Sequence, residues 1–394
     1  MAYAWAYDIK RAIKGSTRVA SDLYPKFPRR SWKSNAGCTF LALALWLTAA
    51  SGLYAAAASM SLPLGLPALP APPDNPQTPQ KISLGKALFR DTRFSADEKI
   101  GCISCHKPER AFTDGLAVAK GLRDQEGTRN TPTLLNAGYL ESQFWDGRRT
   151  GLEDQAKDPF VNPFEHGLAD HEIVLRKIRE DKTYVSAFRE AFGVGPKAIA
   201  LSHVVMALAN FERSLLAGGA PFDRYYYGGD KKALSPAAIR GFELFRGKAR
   251  CDTCHIVGAK DALFTDNRFH SLGIGREHIA PQLAQLTKRV VAAAPDEMDK
   301  LIFSQPDVAA LGRFVVTKKP ADIGKFRTPS LRNVALTPPY MHDGSIATLE
   351  EVVEHELYYR GIAANRPLIL TPQEKADLVI FLKSLTSANL PRAD

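Results

Sequence analysis

The sequence predicts a mainly α-helical protein built from two related domains, and three observations carry that expectation. Apolar residues recur at helical spacing in "ADHEIVLRKIREDKTYVSAFREAF" (169–192), "ALSHVVMALANFERSLLAG" (200–218) and "TPQEKADLVIFLKSL" (371–385), while alternating strand patterns are scarce. A Cys-x-x-Cys-His pattern occurs twice, beginning at Cys102 and at Cys251, 149 positions apart, which is domain-sized and too long for a solenoid repeat. Each copy follows a short amphipathic stretch, "LGKALF" (84–89) or "RGFELFRG" (240–247), that delivers the chain to its cysteines. The 394 residues, 45% hydrophobic and 24% charged, are enough to bury two cores.

Taken in order, residues 1–60 hold eight Lys and Arg against Asp8 and Asp22, followed by the uncharged run "CTFLALALWLTAASGLYAAAA" (38–58). This reads as an export signal or, since 21 helical residues could span a bilayer, an N-terminal membrane anchor. Arg29-Arg30 matches a twin-arginine signal only loosely and is read as ordinary basic charge. Six of the ten net positive charges sit in this leader, so the body is close to neutral and carries no polyanion-binding signature. Residues 61–81 are proline-dense and read as an extended linker. The first domain is expected over 82–228 and the second over 229–394, with Ser235-Pro236 opening a new helix. Residues 276–312 show no assignable pattern and are read as an excursion inserted in the second domain. Thr348 and Glu351 form a capping box, which predicts a helix from Leu349 to Tyr359.

Of five cysteines, four lie in the two motifs and Cys38 lies in the leader, so no disulfide framework remains. A zinc half-site or a thioredoxin-like pair would explain Cys-x-x-Cys, but the histidine directly after the second cysteine points to c-type heme: two thiols form thioethers to the porphyrin edge, and the adjacent imidazole is held under the iron. Cys102, Cys105 and His106 would hold one heme, and Cys251, Cys254 and His255 the other. The fold expectation thereby becomes two cytochrome c-like heme domains related by an internal repeat.

The segment between the motifs, "TRNTPTLLNAGYLESQFWDGRRTGLEDQAKDPFVNPFEHG" (128–167), together with "FTDNRFH", "TPSLRNVAL", "PYMHDGS" and "EKADLVIFLKSL", closely resembles the bacterial di-heme cytochrome c peroxidase and MauG superfamily over nearly all of Leu84 to Leu385. The resemblance implies a periplasmic enzyme that reacts with hydrogen peroxide at the first heme. Glu165 would be the carboxyl group that moves a proton between the two peroxide oxygens, a general acid-base task. Gln155 would add a hydrogen bond in the same pocket, and Trp145 would relay electrons between the hemes. A calcium ion between the domains is implied as well, with Asn130 as its side-chain ligand and Thr337 and Pro339 as positions giving backbone carbonyls.

Two departures narrow the reading. Many peroxidases of this family close the first heme with a second histidine in a loop; that position is Leu122 here, and no histidine occurs between His106 and His166. The first iron is therefore expected to be five-coordinate without reductive activation, a MauG-like trait. Classical members supply a methionine to the second heme 14 residues after the histidine of "HDG"; here that position is Glu356, and no methionine follows Met341. Matching the downstream "YYRG" selects Tyr358 instead, and His355, directly before Glu356, is the chemically strongest ligand nearby; Tyr358 is preferred over His355 and then Glu356, while Met341 reads as packing. An anionic or nitrogen ligand would lower the second heme's potential. The expected function is a MauG-like oxidoreductase passing oxidising equivalents to an external protein; the alternative is a cytochrome c peroxidase fed by a small cytochrome c or cupredoxin.

Overall fold

The longer helices, in chain order, are α1 (Pro79–Arg90), α2 (Glu172–Glu180), α3 (Lys182–Phe192), α4 (Leu201–Ser214), α5 (Pro221–Tyr226), α6 (Pro236–Arg246), α7 (Leu283–Ala292), α8 (Pro295–Ser304), α9 (Leu349–Ala363) and α10 (Pro372–Lys383). The computed structural model describes residues 62–391, so the expected export signal or anchor in residues 1–60 lies outside the described residues. Among the described residues no helix is long and apolar enough to cross a membrane. The strands described are two residues each, β1 (Phe269–His270) and β2 (Phe326–Arg327), paired antiparallel with Phe269 opposite Arg327. The fold is mainly α, as the helical periodicity requires.

Two helix crossings set the frame, and they are built alike. Thr78 caps α1 by accepting the Lys81 amide, and Pro79 sits in the first turn, where a missing N–H costs nothing. α1 crosses α4 so closely that a Cβ on Gly85 would lie 1.9 Å from the Ala207 carbonyl oxygen. In the second half Ser235 caps α6, and a Cβ on Gly241 would lie 2.0 Å from the Asp377 carbonyl oxygen of α10. Only glycine allows backbones to meet at this separation. Around the first crossing Leu84, Leu88, Phe89, Phe160, Phe188 and Phe211 form one buried core; around the second Phe222, Phe242, Phe245, Phe264 and Phe381 form another.

The apolar run 169–192 is not one helix. Asp181 accepts the amides of Thr183 and Tyr184 at 2.8 and 3.3 Å, ending α2 and capping α3, because a capping carboxylate competes with continued helical bonding. Residues 276–312, without a legible pattern, fold into α7, α8 and shorter helical turns around a core that includes Leu286, Val290, Leu301, Ile302 and Leu311 and is joined by Phe314. Their apolar residues face each other in a small lobe rather than one long stripe. The cores also divide earlier than residue 228, since Phe222 of α5 is fully buried among the aromatic rings of the second.

The proline-dense stretch carries no helix or strand before Pro79, its last three residues opening α1 instead of a linker, and it is packed rather than hanging free. Gly65 O accepts the Ala262 amide at 3.1 Å, Pro67 O accepts the Tyr139 hydroxyl at 2.9 Å, and buried Asn75 donates to Glu153 at 2.7 Å. Its anchor is Arg332, which is buried with Asp223: Nη1 and Nη2 donate to the carboxylate at 2.9 and 3.0 Å, Nε donates to Ala262 O at 2.6 Å, and Nη2 also reaches Gly65 O. Side-chain exposure is 2% and 0% for the two partners, so removing one strands a charge in the interior. Arg332→Met is expected to destabilise the protein by about 3–5 kcal/mol, read as a lower denaturant midpoint at unchanged slope.

Candidate active site

Both Cys-x-x-Cys-His motifs form single helical turns that set the histidine at the turn's end. His106 Nδ1 lies 3.1 Å from Phe112 O and His255 Nδ1 lies 2.8 Å from Phe264 O. A carbonyl only accepts, so each Nδ1 carries the proton and each Nε2 keeps its lone pair for a metal. Burial pulls both imidazoles toward the neutral form, His255 down to about 4. The equivalent bonds hold because Phe112 and Phe264 both adopt left-handed backbone, turning their carbonyls back to the rings.

Cys102, Cys105, Cys251 and Cys254 are free, with no disulfide among the described residues. Burial pushes Cys105 and Cys251 up to about 12 and Cys102 higher still. A thiol held in an apolar wall beside a histidine whose Nε2 is free suits thioether attachment with the imidazole as iron ligand. These donor sets therefore fit covalently attached heme.

Beside the first motif stands the turn "NPFEHG". Glu165 accepts from Asn162 Nδ2 at 2.7 Å, and its charge is felt at both Cys102 and Cys105. Desolvation raises its pKa to about 7, against the lowering pull of Arg148 and Asn162 and with a further raising contribution from Asp158 and Asp299. Leu122 is buried, and its amide donates to Phe164 O at 3.0 Å, one residue before Glu165. The loop that carries a second histidine in many relatives thus lies against the acid and presents a leucine. Gln155 closes the short helix Leu152–Gln155 just ahead of this turn.

Trp145 is partly buried between the two halves. Its Nε1 donates to Asn130 O at 2.9 Å, and its own carbonyl accepts the Arg327 amide at 2.9 Å. The lobe of residues 276–312 grips this region. Asp299 pairs with Arg148 and Arg149 at 3.1 Å each, Thr128 Oγ1 donates to Ile302 O at 2.6 Å, and Arg129 donates to Ala309 O at 2.6 Å. Asn130 is buried; its amide donates to His342 O at 2.8 Å and its Nδ2 to Leu116 O at 2.9 Å, whereas Thr337 Oγ1 donates to Val334 O at 3.2 Å. Asn130 is thereby held beside the segment that follows Pro339.

Helix α9 offers three candidate ligands near the second motif, and they face different ways. Tyr358 is 64% exposed, and His355 Nε2 donates to Leu272 O at 2.8 Å. Glu356 interacts with His270 and Cys251, and Arg360, one turn on, donates to Ala249 O at 3.0 Å. Sequence reasoning left Asp266 and His270 without a role; they pair at 2.8 Å and, with Cys254, place ligand atoms within 4.8 Å of one another. The motif "FTDNRFH" holds both, but nothing local reveals that they flank a cysteine.

The family model described as di-haem cytochrome c peroxidase matches residues 79–232. Cytochrome-c peroxidase IdrP1 of Denitromonas iodatirespirans is 39% identical, the match covering 88% of this chain and 92% of that protein. The chain belongs to the di-heme cytochrome c peroxidase and MauG superfamily. This superfamily member is also 36% identical to the methylamine utilization protein MauG of Methylorubrum extorquens, over 80% of the chain and 81% of that protein. A crystallised MauG-like protein associated with microbial copper homeostasis matches with TM-score 0.67 and 33% identity, covering 84% of this chain and 95% of that one. As a superfamily member the protein is a heme c-dependent oxidoreductase of the peroxidase class.

Proposed function

We propose that this protein is a periplasmic cytochrome c peroxidase that reduces hydrogen peroxide at the heme held by Cys102, Cys105 and His106. Two electrons would come from a small cytochrome c or cupredoxin through the heme held by Cys251, Cys254 and His255, so that peroxide and two protons leave as two waters. When bound, the first heme supplies the iron at which peroxide is reduced. The observation that carries the reading is the 39% identity to a cytochrome-c peroxidase over most of the chain, and the placement of Leu122 against the Glu165 turn, a side chain that cannot ligate beside an acid that can move protons, supports a peroxide-reactive first site. Such a site needs no prior reduction to admit peroxide. The two motifs, each with its own core, support two cytochrome c-like heme domains related by a repeat.

In this reading Glu165 takes the proton from the near peroxide oxygen and returns it to the far one, and Gln155 orients the substrate. Asn162, donating at 2.7 Å, holds the carboxylate in place. Trp145 spans the halves and carries electrons between them. Trp145→Phe is expected to slow reoxidation of the pre-reduced second heme by peroxide while heme content stays at two per chain; stopped-flow absorbance at that heme checks it, and unchanged transfer would reject the relay. Asn130 Oδ1, with Nδ2 already engaged, is the oxygen that would face a calcium ion, joined by the Thr337 and Pro339 carbonyls.

A second reading, MauG-like oxidation of aromatic side chains on a partner protein, is favoured by the ligands available to the second heme. No methionine follows Met341. The placement of Glu356 beside Cys251 and His270 supports it as the axial ligand ahead of Tyr358 and His355. An anionic ligand lowers the potential and favours holding oxidising equivalents there. Adding peroxide to the oxidised protein with either reduced cytochrome c or an aromatic-rich partner separates the two: rapid cytochrome oxidation supports the peroxidase, covalent change in the partner the alternative.

A further inference from the structure

Among the described residues, the buried guanidinium of Arg327 on β2 has no anionic partner. It is 5% exposed, and its Nε and Nη1 are enclosed with no acceptor. Arg332, five residues on, shows what the interior normally demands, since its donors are taken up by Asp223, Ala262 O and Gly65 O. Desolvation alone pulls Arg327 down to about 10, with no carboxylate opposing it. An unpaired interior charge is among the costliest features a fold can carry, so an orphan of this kind marks an anion the protein is built to receive.

The backbone sets that anion's neighbourhood. The Arg327 amide is fixed on Trp145 O at 2.9 Å, and the residue pairs across the ribbon with Phe269. The next residue, His270, lies within 4.8 Å of the Cys254 sulfur by its ring nitrogen. The side chain therefore leaves a two-stranded ribbon that adjoins the second attachment site. A c-type heme brings two propionate carboxylates, and neither Cys251, Cys254 nor His255 offers a partner for them.

We propose that Arg327 is the receptor for a propionate carboxylate of the heme attached at Cys251 and Cys254, donating through Nε and Nη1. The assignment rests on the heme reading above and deepens it. Arginine suits the task because its charge persists when buried and its planar fork matches a carboxylate. A fixed cation at the heme edge favours the reduced iron, so this pair holds the second heme's potential up. Arg327 is thus a positioning residue, one that sets the potential of the heme that would receive electrons.

The test is a spectroelectrochemical titration of both hemes in the holoprotein, in phosphate-free buffer and again with added phosphate, for wild type, Arg327→Met and Arg327→Lys. Heme content is checked at two per chain. Arg327→Met is expected to lower the potential of the second heme and leave the first unchanged, and Arg327→Lys to recover most of the loss. Equal lowering by both variants, no lowering in Arg327→Met, or a shift confined to the first heme overturns the proposal. A wild-type potential that moves with phosphate while Arg327→Met does not move assigns the site to a free anion, and also overturns it. Should Arg327→Met fail to fold, Arg327→Gln replaces it under the same criteria. Peroxide reactivity is measured separately, so a di-heme protein inert to peroxide would remove the peroxidase reading and leave this test standing.

Discussion

Glu165→Gln is expected to slow the reaction with hydrogen peroxide by about 10²- to 10⁴-fold, the range over which a positioned general acid-base group contributes. Glutamine keeps the volume and can still bond to Asn162, so the turn and both attached hemes should be retained. What it loses is the capacity to accept a proton from one peroxide oxygen and return it to the other. The pH profile supplies a second signature. Glu165 sits near pH 7 because desolvation raises it, Arg148 and Asn162 pull it down, and Asp158 and Asp299 push it up. Below that value the carboxyl is protonated and cannot act as a base, so the wild-type rate should rise with pH through about 7 and then level off. In the glutamine variant that step should vanish. Stopped-flow mixing of the oxidised protein with peroxide measures both; equal rates in the two proteins would place the acid elsewhere.

Leu122→His is expected to convert a ready enzyme into one that must be reduced first. Leu122 is buried next to the acid-bearing turn, and a Cβ on Gly167 would touch its Cδ2 at 2.4 Å. In the reading proposed above, an imidazole at this position would ligate the first iron. Electron paramagnetic resonance of the oxidised wild type should show one high-spin and one low-spin heme, and the variant two low-spin hemes with little peroxide reactivity until reduced. A high-spin signal and a peroxide rate that both survive the substitution would mean this loop does not lie over the iron. Two low-spin hemes in the wild type would remove the open-site argument altogether.

Features fixed by neighbours in the chain were the legible ones. The cysteine and histidine spacing, the Pro-led helices α6 and α10, and the Thr348 capping box all appear where local chemistry places them, whereas α1 begins at Pro79, inside the stretch read as linker. So does the apolar stripe of α4. Asp181 shows the limit: the apolar period runs through it unbroken, and one side chain caps a new helix there. Residues 276–312 were opaque for a different reason. Their apolar residues serve a small lobe with several short helices, so no single period dominates.

The two Cys-x-x-Cys-His motifs, the leucine at 122 and the glutamate at 165 were legible in the chain, because residue type and short spacing are carried by the linear order itself. Their meeting was not. That Leu122 lies against the Glu165 turn, that Asp299 braces Arg148 from a separate lobe, that the Glu356 charge is felt at Cys251 while Tyr358 is exposed, and that Arg327 is buried with no anionic partner among the described residues are products of long-range packing. Side-chain direction and desolvation are set by whatever the fold brings close, and a linear order of residues carries neither.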